Sequence, residues 1–134
     1  MASIRKEISI NASADQVWDA VRAVDQVHER LAPGWVVDVR RDADARILTL
    51  ANGVVMRELL VDVDDSARRL AYAGVQGELT HHSASMQVLA DGNGSRLLWI
   101  TDLLPNEAAG RIGALIEQGA AIIKETLERP AARA

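Results

Sequence analysis

The sequence predicts an α+β domain: an antiparallel sheet with one long helix lying across one of its faces. Two observations carry this. From Trp35 to Leu104 apolar residues recur with a period of two, broken by short turn-forming stretches. From Asn106 the period changes to that of a helix and holds until Arg129-Pro130. Before both stand a short strand and two short helical segments. The whole is 134 residues, the length of one domain.

The elements follow in order. Ile4 to Ile10 alternates as a strand. Ser13-Ala14-Asp15-Gln16 is a capping-box pattern, and Val17, Trp18, Val21 and Val24 follow at helical spacing, so a helix is expected over 14–23. Residues 25–31 read as a second short helix, stopped by Ala32-Pro33-Gly34. Trp35 to Arg41 alternates, placing Trp35, Val37 and Val39 on one face. Arg46 to Leu50 and Val54 to Val63 are strands joined by Ala51-Asn52-Gly53, in which Asn-Gly is the turn signal. Asp64-Asp65-Ser66 turns the chain into a strand over Arg69 to Val75. His81 to Ala90 and Ser95 to Leu104 form a hairpin across Asp91-Gly92-Asn93-Gly94. Asn106 is the expected N-cap of the long helix.

Composition bounds the function. Apolar residues are 49% and charged residues 25%, ordinary for a folded soluble protein. Three Trp, one Tyr and no Phe leave the core to Val, Leu, Ile and Ala. Fifteen Lys and Arg against nineteen Asp and Glu give a net charge of -4, which disfavours an electrostatic grip on nucleic acid. The absence of Cys excludes disulfides, thiolate metal sites and Cys nucleophiles. The stretch Met1 to Glu7 has no apolar signal region, and no apolar run approaches the ~20 residues of a membrane span, so a cytoplasmic protein is expected. The Ala/Arg-rich tail, Arg129 to Ala134, is expected to fray.

Short turns make the strand registers derivable. With Ala51, Asn52 and Gly53 as the loop, Leu50 opposes Val54, Leu48 opposes Met56 and Arg46 opposes Glu58, all on one face. With Gly92-Asn93 as the second loop, Val88 opposes Leu97, Met86 opposes Trp99, Ala84 opposes Thr101 and His82 opposes Leu103. These are the core faces, and a slip of one residue would invert them. Tyr72 is placed inward with them. The helix answers with a stripe of Ala108, Ile112, Leu115, Ile116, Gly119, Ala120, Ile123 and Leu127. Gly110, Gly113 and Gly119 each cost roughly 1 kcal/mol relative to Ala inside a helix, which points either to close packing or to a space between helix and sheet.

Further stretches bear on kinship. Ser13-Ala14-Asp15-Gln16-Val17-Trp18-Asp19-Ala20-Val21-Arg22 resembles the opening of the SRPBCC superfamily, which holds the START, polyketide cyclase/dehydrase and pollen-allergen-like domains. Ala45-Arg46 through Gly53 to Arg57-Glu58, Asp64 to Tyr72, and Gly94-Ser95-Arg96-Leu97-Leu98-Trp99 to Pro105 extend the likeness in the right order along nearly the whole chain, taken as one domain over 1–134. The resemblance implies a helix-grip fold: a curved sheet of about seven antiparallel strands wrapped around a long C-terminal helix, enclosing a pocket for an apolar ligand. Members carry lipids, sterols, hormones or quinones, cyclise polyketides, or assist chaperones, and the fold does not choose among these.

The candidate residues follow from the inner face. Trp35, Arg46, Leu48, Met56, Glu58, Tyr72, His82, Ala84, Met86, Trp99, Thr101 and Leu103 from the sheet, with Ile112, Leu115, Ile116, Gly119 and Ile123 from the helix, are the expected ligand-binding set. Arg46 and Glu58 are charges on an otherwise apolar face, so each is best explained by the other, as a buried pair or as a polar anchor for a ligand. Adjacent His81 and His82 point to opposite faces of a strand, with His82 inward. Asp102 falls on the face opposite to His82, which removes the obvious His-Asp couple. His82, Glu58 and Tyr72 are the candidates for moving a proton if the domain is an enzyme. Trp18 is expected to be structural. No cofactor, metal, P-loop or dinucleotide motif is expected.

The leading expectation is a binding module for a small hydrophobic or amphipathic molecule, acting as a monomer or homodimer without nucleic acid. A cyclase, aromatase or dehydratase using the same cavity is the first alternative. A protein-binding regulator of the chaperone-activator kind is the second, with a filled core and an outer surface around Leu98 and Ile100.

Overall fold

A computed structural model describes residues 2–74 and 77–129. Strand β1 (Ala2–Ile10) leads into α1 (Ala14–Arg22) and a single π-helical turn (Val27–Leu31). Six strands follow, β2 (Val36–Asp42), β3 (Ala45–Leu50), β4 (Val55–Asp64), β5 (Arg69–Ala73), β6 (His81–Asp91) and β7 (Gly94–Leu104). A 3-10 turn over Asn106–Ala108 then opens α2 (Ala109–Leu127). The seven strands form one antiparallel sheet in the order β1-β7-β6-β5-β4-β3-β2. Consecutive hairpins build it from β2 to β7, and β1 returns to close beside β7. With α2 and the short helices on one face, this is the helix-grip fold.

Turn chemistry sets the registers as the sequence predicts. Leu48 lies opposite Met56 and Arg46 opposite Glu58. Met86 lies opposite Trp99, Ala84 opposite Thr101 and His82 opposite Leu103. At the first of these turns Gly53 takes a positive φ of 90°, and the Asn52 side chain accepts from the Val54 amide at 3.0 Å. At α1 the capping box forms in both directions between Ser13 and Gln16.

Two bulges depart from strict alternation. Along β2 the register shifts between Val36 and Asp38, so Val36 is buried opposite Leu50 while Val37 is squeezed outward. Val39 then returns to the inner face opposite Leu48. The expected Trp35-Val37-Val39 face is therefore corrected to Trp35, Val36 and Val39: one extra residue reverses the sides. The second shift lies between Leu60 and Asp62. It follows Leu60, which pairs with Tyr72, and leaves Tyr72 inward and buried.

Other boundaries moved. The second short helix is the five-residue turn over Val27–Leu31 rather than 25–31. Asn106 makes no side-chain capping bond, and the helix begins with a 3-10 turn instead. The expected end of β5 at Val75 and the closure of the helix at Pro130 lie outside the described residues.

The core fills the concave side. Val17, Val21, Leu31, Val36, Leu50, Leu70, Leu97 and Ile123 are all but sealed from solvent. Trp18 is structural, as expected: its ring is buried and its indole N–H donates to Asp65 at 2.9 Å, tying α1 to the β4–β5 turn. The Arg22 Nε donates to the same oxygen, and these two bonds hold the Asp65 carboxyl below its ordinary pKa. At the far end of α2, Glu128 accepts from the Asn11 amide at 2.7 Å, so the helix terminus is tied to the end of β1.

Candidate functional site

Between the concave face and the first half of α2 the packing is incomplete. A cavity of about 50 Å³ remains, walled by Trp35, Leu50, Met56, Glu58, Tyr72, Leu79, His82, Trp99, Thr101, Ile112, Leu115 and Ile116. Its floor is sealed, because Leu50, Glu58, Tyr72, Trp99, Thr101 and Ile116 are all buried. Its rim is not, because Trp35, Met56, His82, Ile112 and Leu115 each remain partly accessible. Space of this size admits a few water molecules, at roughly 10–15 Å³ for each.

Ten of the seventeen expected lining residues meet here. Arg46, Leu48, Ala84, Met86, Leu103, Gly119 and Ile123 do not wall the cavity. Leu48, Ala84, Met86, Leu103 and Ile123 face inward but are consumed by core packing. Gly119 decides between the two readings of the helix glycines. A Cβ there would stand 2.8 Å from the Trp35 ring, so this glycine exists for close packing rather than to leave room. Gly113 has only an ordinary neighbour in Ile4, and Gly110 has open space beside it. Leu50 and Leu79 belong to the wall although neither was among the expected residues. Leu50 already shared the inner face in the predicted register. Leu79 lies outside the strands, where no periodicity could announce it.

Arg46 lies on the inner face opposite Glu58, as expected, but does not wall the cavity. It is buried with Glu58, each side chain only 5% exposed. Its Nε donates to Glu58 Oε1 at 3.0 Å, and its Nη2 stands 2.9 Å from the same oxygen. Its Nη1 donates to the Val24 carbonyl at 3.3 Å. Its guanidinium carbon lies 5.2 Å from the centre of the Tyr72 ring, a cation–π arrangement. The cation is thus held behind the wall, and its carboxylate partner faces the space.

The aromatic groups converge. The indole N–H of Trp99 donates to the Tyr72 hydroxyl at 3.0 Å. Burial, reinforced by the nearby Glu58 charge, pushes the Tyr72 hydroxyl well above its ordinary pKa, so it stays a neutral donor at physiological pH. The His82 ring meets Tyr72 edge-on, with centres 6.3 Å apart. Burial pushes the His82 pKa below 6.5 against the pull of Glu58, which keeps the ring neutral near pH 7. Its buried Nδ1 has no hydrogen-bond partner among the described residues.

His82 also borders a shallow outer groove with Arg57, Leu59, Ala73, Gly74 and His81, so the ring stands between cavity and surface. His81 lies on the outer side, 3.3 Å from Ser83 Oγ, and Asp102 opposes Ser83 there. The expected separation of His82 from Asp102 therefore stands. Among the described residues no three His, Asp or Glu side chains converge to hold a metal ion. Nor, among the described residues, is any helix long and apolar enough to cross a membrane. A larger groove of about 340 Å³ between α1, the π turn and the end of α2 is a surface feature spanned by the Arg30–Asp19 ion pair.

Comparison with known proteins bears on this geometry. A family model described as polyketide cyclase/dehydrase and lipid transport matches residues 1–134. No curated protein matches the chain in sequence. Among solved structures, an uncharacterized protein from Bacillus thuringiensis superposes with a TM-score of 0.83 at 18% identity, covering 94% of this chain and 98% of that one. The di-domain ARO/CYC BexL of the BE-7585A biosynthetic pathway superposes with a TM-score of 0.78 at 18% identity, covering 96% of this chain and 47% of BexL. Norcoclaurine synthase from Thalictrum flavum, solved with dopamine and hydroxybenzaldehyde, superposes with a TM-score of 0.62 at 17% identity, covering 92% and 87%. At such identities the likeness establishes the fold alone.

Proposed function

The chain belongs to the polyketide cyclase/dehydrase and lipid transport family, and on that premise we propose that it holds a small apolar or amphipathic molecule between the sheet and the first half of α2. One observation carries the reading. An aromatic and aliphatic rim stands over a buried floor that holds Glu58, Tyr72 and Thr101, in a space the side chains leave open. Apolar burial, at about 25 cal/mol per Å², supplies the affinity, and the polar floor orients the ligand. The cavity of about 50 Å³ is smaller than the roughly 300 Å³ at which ligand pockets begin, so entry requires the rim to part further. The rim residues that part are Ile112 and Leu115 on the helix and Trp35, Met56 and His82 on the sheet side.

A second reading has its own support. His82, with an unpartnered nitrogen, Tyr72, held as a neutral donor, and the Glu58 carboxylate share one wall. Such a group can move a proton on a bound molecule, as a cyclase or dehydratase needs. A protein-binding regulator fits less well: its core would be filled, and Leu98 and Ile100 are only partly exposed.

Native mass spectrometry of the purified protein, with titration of the neutral dye Nile red, tests the binding reading. A co-purified apolar adduct or saturable dye binding, lost in Leu115→Trp, is the expected result. Absence of both in the folded native protein overturns it.

A further inference from the structure

We propose that the cavity floor selects an uncharged ligand carrying a hydroxyl or N–H donor and turns away carboxylates, with Glu58 as the discriminating residue. The inference rests on the reading that the cavity takes a small molecule, and it adds the chemistry of that molecule.

The argument begins from which member of the buried pair faces the space. Glu58 walls the cavity and Arg46 does not. Each Arg46 nitrogen has a partner away from the cavity or on Glu58 itself: Nε and Nη2 face Glu58 Oε1, and Nη1 donates to the Val24 carbonyl. Among the described residues no donor reaches Glu58 Oε2, and that atom is not one of the sealed polar atoms that lack a partner. An acceptor oxygen is therefore left for whatever enters. Beside it, the Tyr72 hydroxyl already accepts from Trp99, and its own proton has no acceptor among the described residues.

The floor thus offers one charged acceptor and one neutral donor. A ligand hydroxyl both donates and accepts, so it answers both groups. An ionised carboxylate only accepts, and here it would bring a second negative charge beside Glu58 in a site of low dielectric. Among the described residues no unpaired cation walls the cavity to offset it. Lys6 and Arg41, cations of the same sheet face, are bound to Glu117 and Asp25 and do not wall the cavity. Burial keeps His82 uncharged. A fold that buries an arginine under its ligand site would ordinarily suit an acid. Here the carboxylate stands in front of the arginine and reverses the preference.

Equilibrium dialysis of the native protein against naphthalene, 2-naphthol and 2-naphthoate at neutral pH tests this, because the three share one apolar skeleton. Naphthol should bind tightest, and naphthoate about ten-fold or more weaker than naphthol, because its charge meets the Glu58 carboxylate first and the Arg46 cation only behind it. Glu58→Gln should remove most of that gap. If the single variant fails to fold, the double variant Arg46→Gln with Glu58→Gln removes both charges while keeping polar groups at the floor and should narrow the gap while naphthalene still binds. Naphthoate binding as tightly as naphthol, or a gap that stays undiminished in a folded variant, overturns the inference and leaves the cavity reading intact. Failure of all three compounds to bind overturns both.

Discussion

The two halves of α2 present the same apolar stripe to the same sheet and meet different fates. In the second half Gly119, Ala120, Ile123 and Thr126 are buried. There α1 and the π-helical turn pack in beside the helix and close the concave face. In the first half Ile112 and Leu115 stay partly accessible above the cavity. Trp35, seated on Gly119, marks the border. The stripe is continuous in the sequence, so periodicity alone does not separate core from wall. The presence or absence of a third layer does.

Perturbation should read that difference. The largest effect is expected at the floor, where both regimes meet. Arg46→Ala leaves the buried Glu58 carboxylate unpaired and should cost about 3–5 kcal/mol in urea denaturation. An unchanged midpoint would show that the carboxylate finds water instead. Next, Ile123→Ala in the packed half should cost about 2–5 kcal/mol, whereas Leu115→Ala over the cavity should cost clearly less. Equal losses at the two positions would erase the distinction between the halves. At the border, Gly119→Ala drives a methyl into the Trp35 ring and should cost about 1–3 kcal/mol, against a gain for Gly110→Ala, which has space for its methyl.

The smallest effect is one of pH. His82 has its pKa lowered by burial, so the unfolded chain binds the proton more tightly than the folded one. Its contribution to stability is full above the unfolded value of 6.5 and is lost as pH falls through the lower folded value. His82→Gln should flatten that part of the stability profile between neutral pH and mildly acid pH. A profile identical to that of the native protein would remove His82 from the account.

The fold was legible where chain geometry leaves little choice. Asn52-Gly53 and Gly92-Asn93 close short turns, and a short turn dictates the register of everything beyond it. That is why Arg46 could be set against Glu58, and Met86 against Trp99, from residues alone. The Val37 bulge was not legible, because an extra residue in a strand carries no turn chemistry. Asn106 had the residue type of a cap but makes no capping bond.

The site was legible to the level of faces. Trp35, Tyr72 and Trp99 line one space as the registers required. Which of two opposed charged side chains extends toward that space depends on side-chain torsions and on the Val24 carbonyl, which sequence spacing does not encode. Leu79 escaped because it lies outside the strands and helices, where no period exists to read.

The seat of Trp35 on Gly119 also has a consequence for how such a chain can diverge. Positions 110 and 113 have room to gain a β-carbon by a single step. Position 119 has none, because any β-carbon meets an indole borne on a distant stretch of chain. The two sites are coupled: a bulkier residue at 119 has to push the Trp35 ring aside, a step that is easier once the tryptophan has shrunk, and a lineage that shrinks it first loses part of the rim. Diversification of the rim therefore has a preferred order of mutational steps.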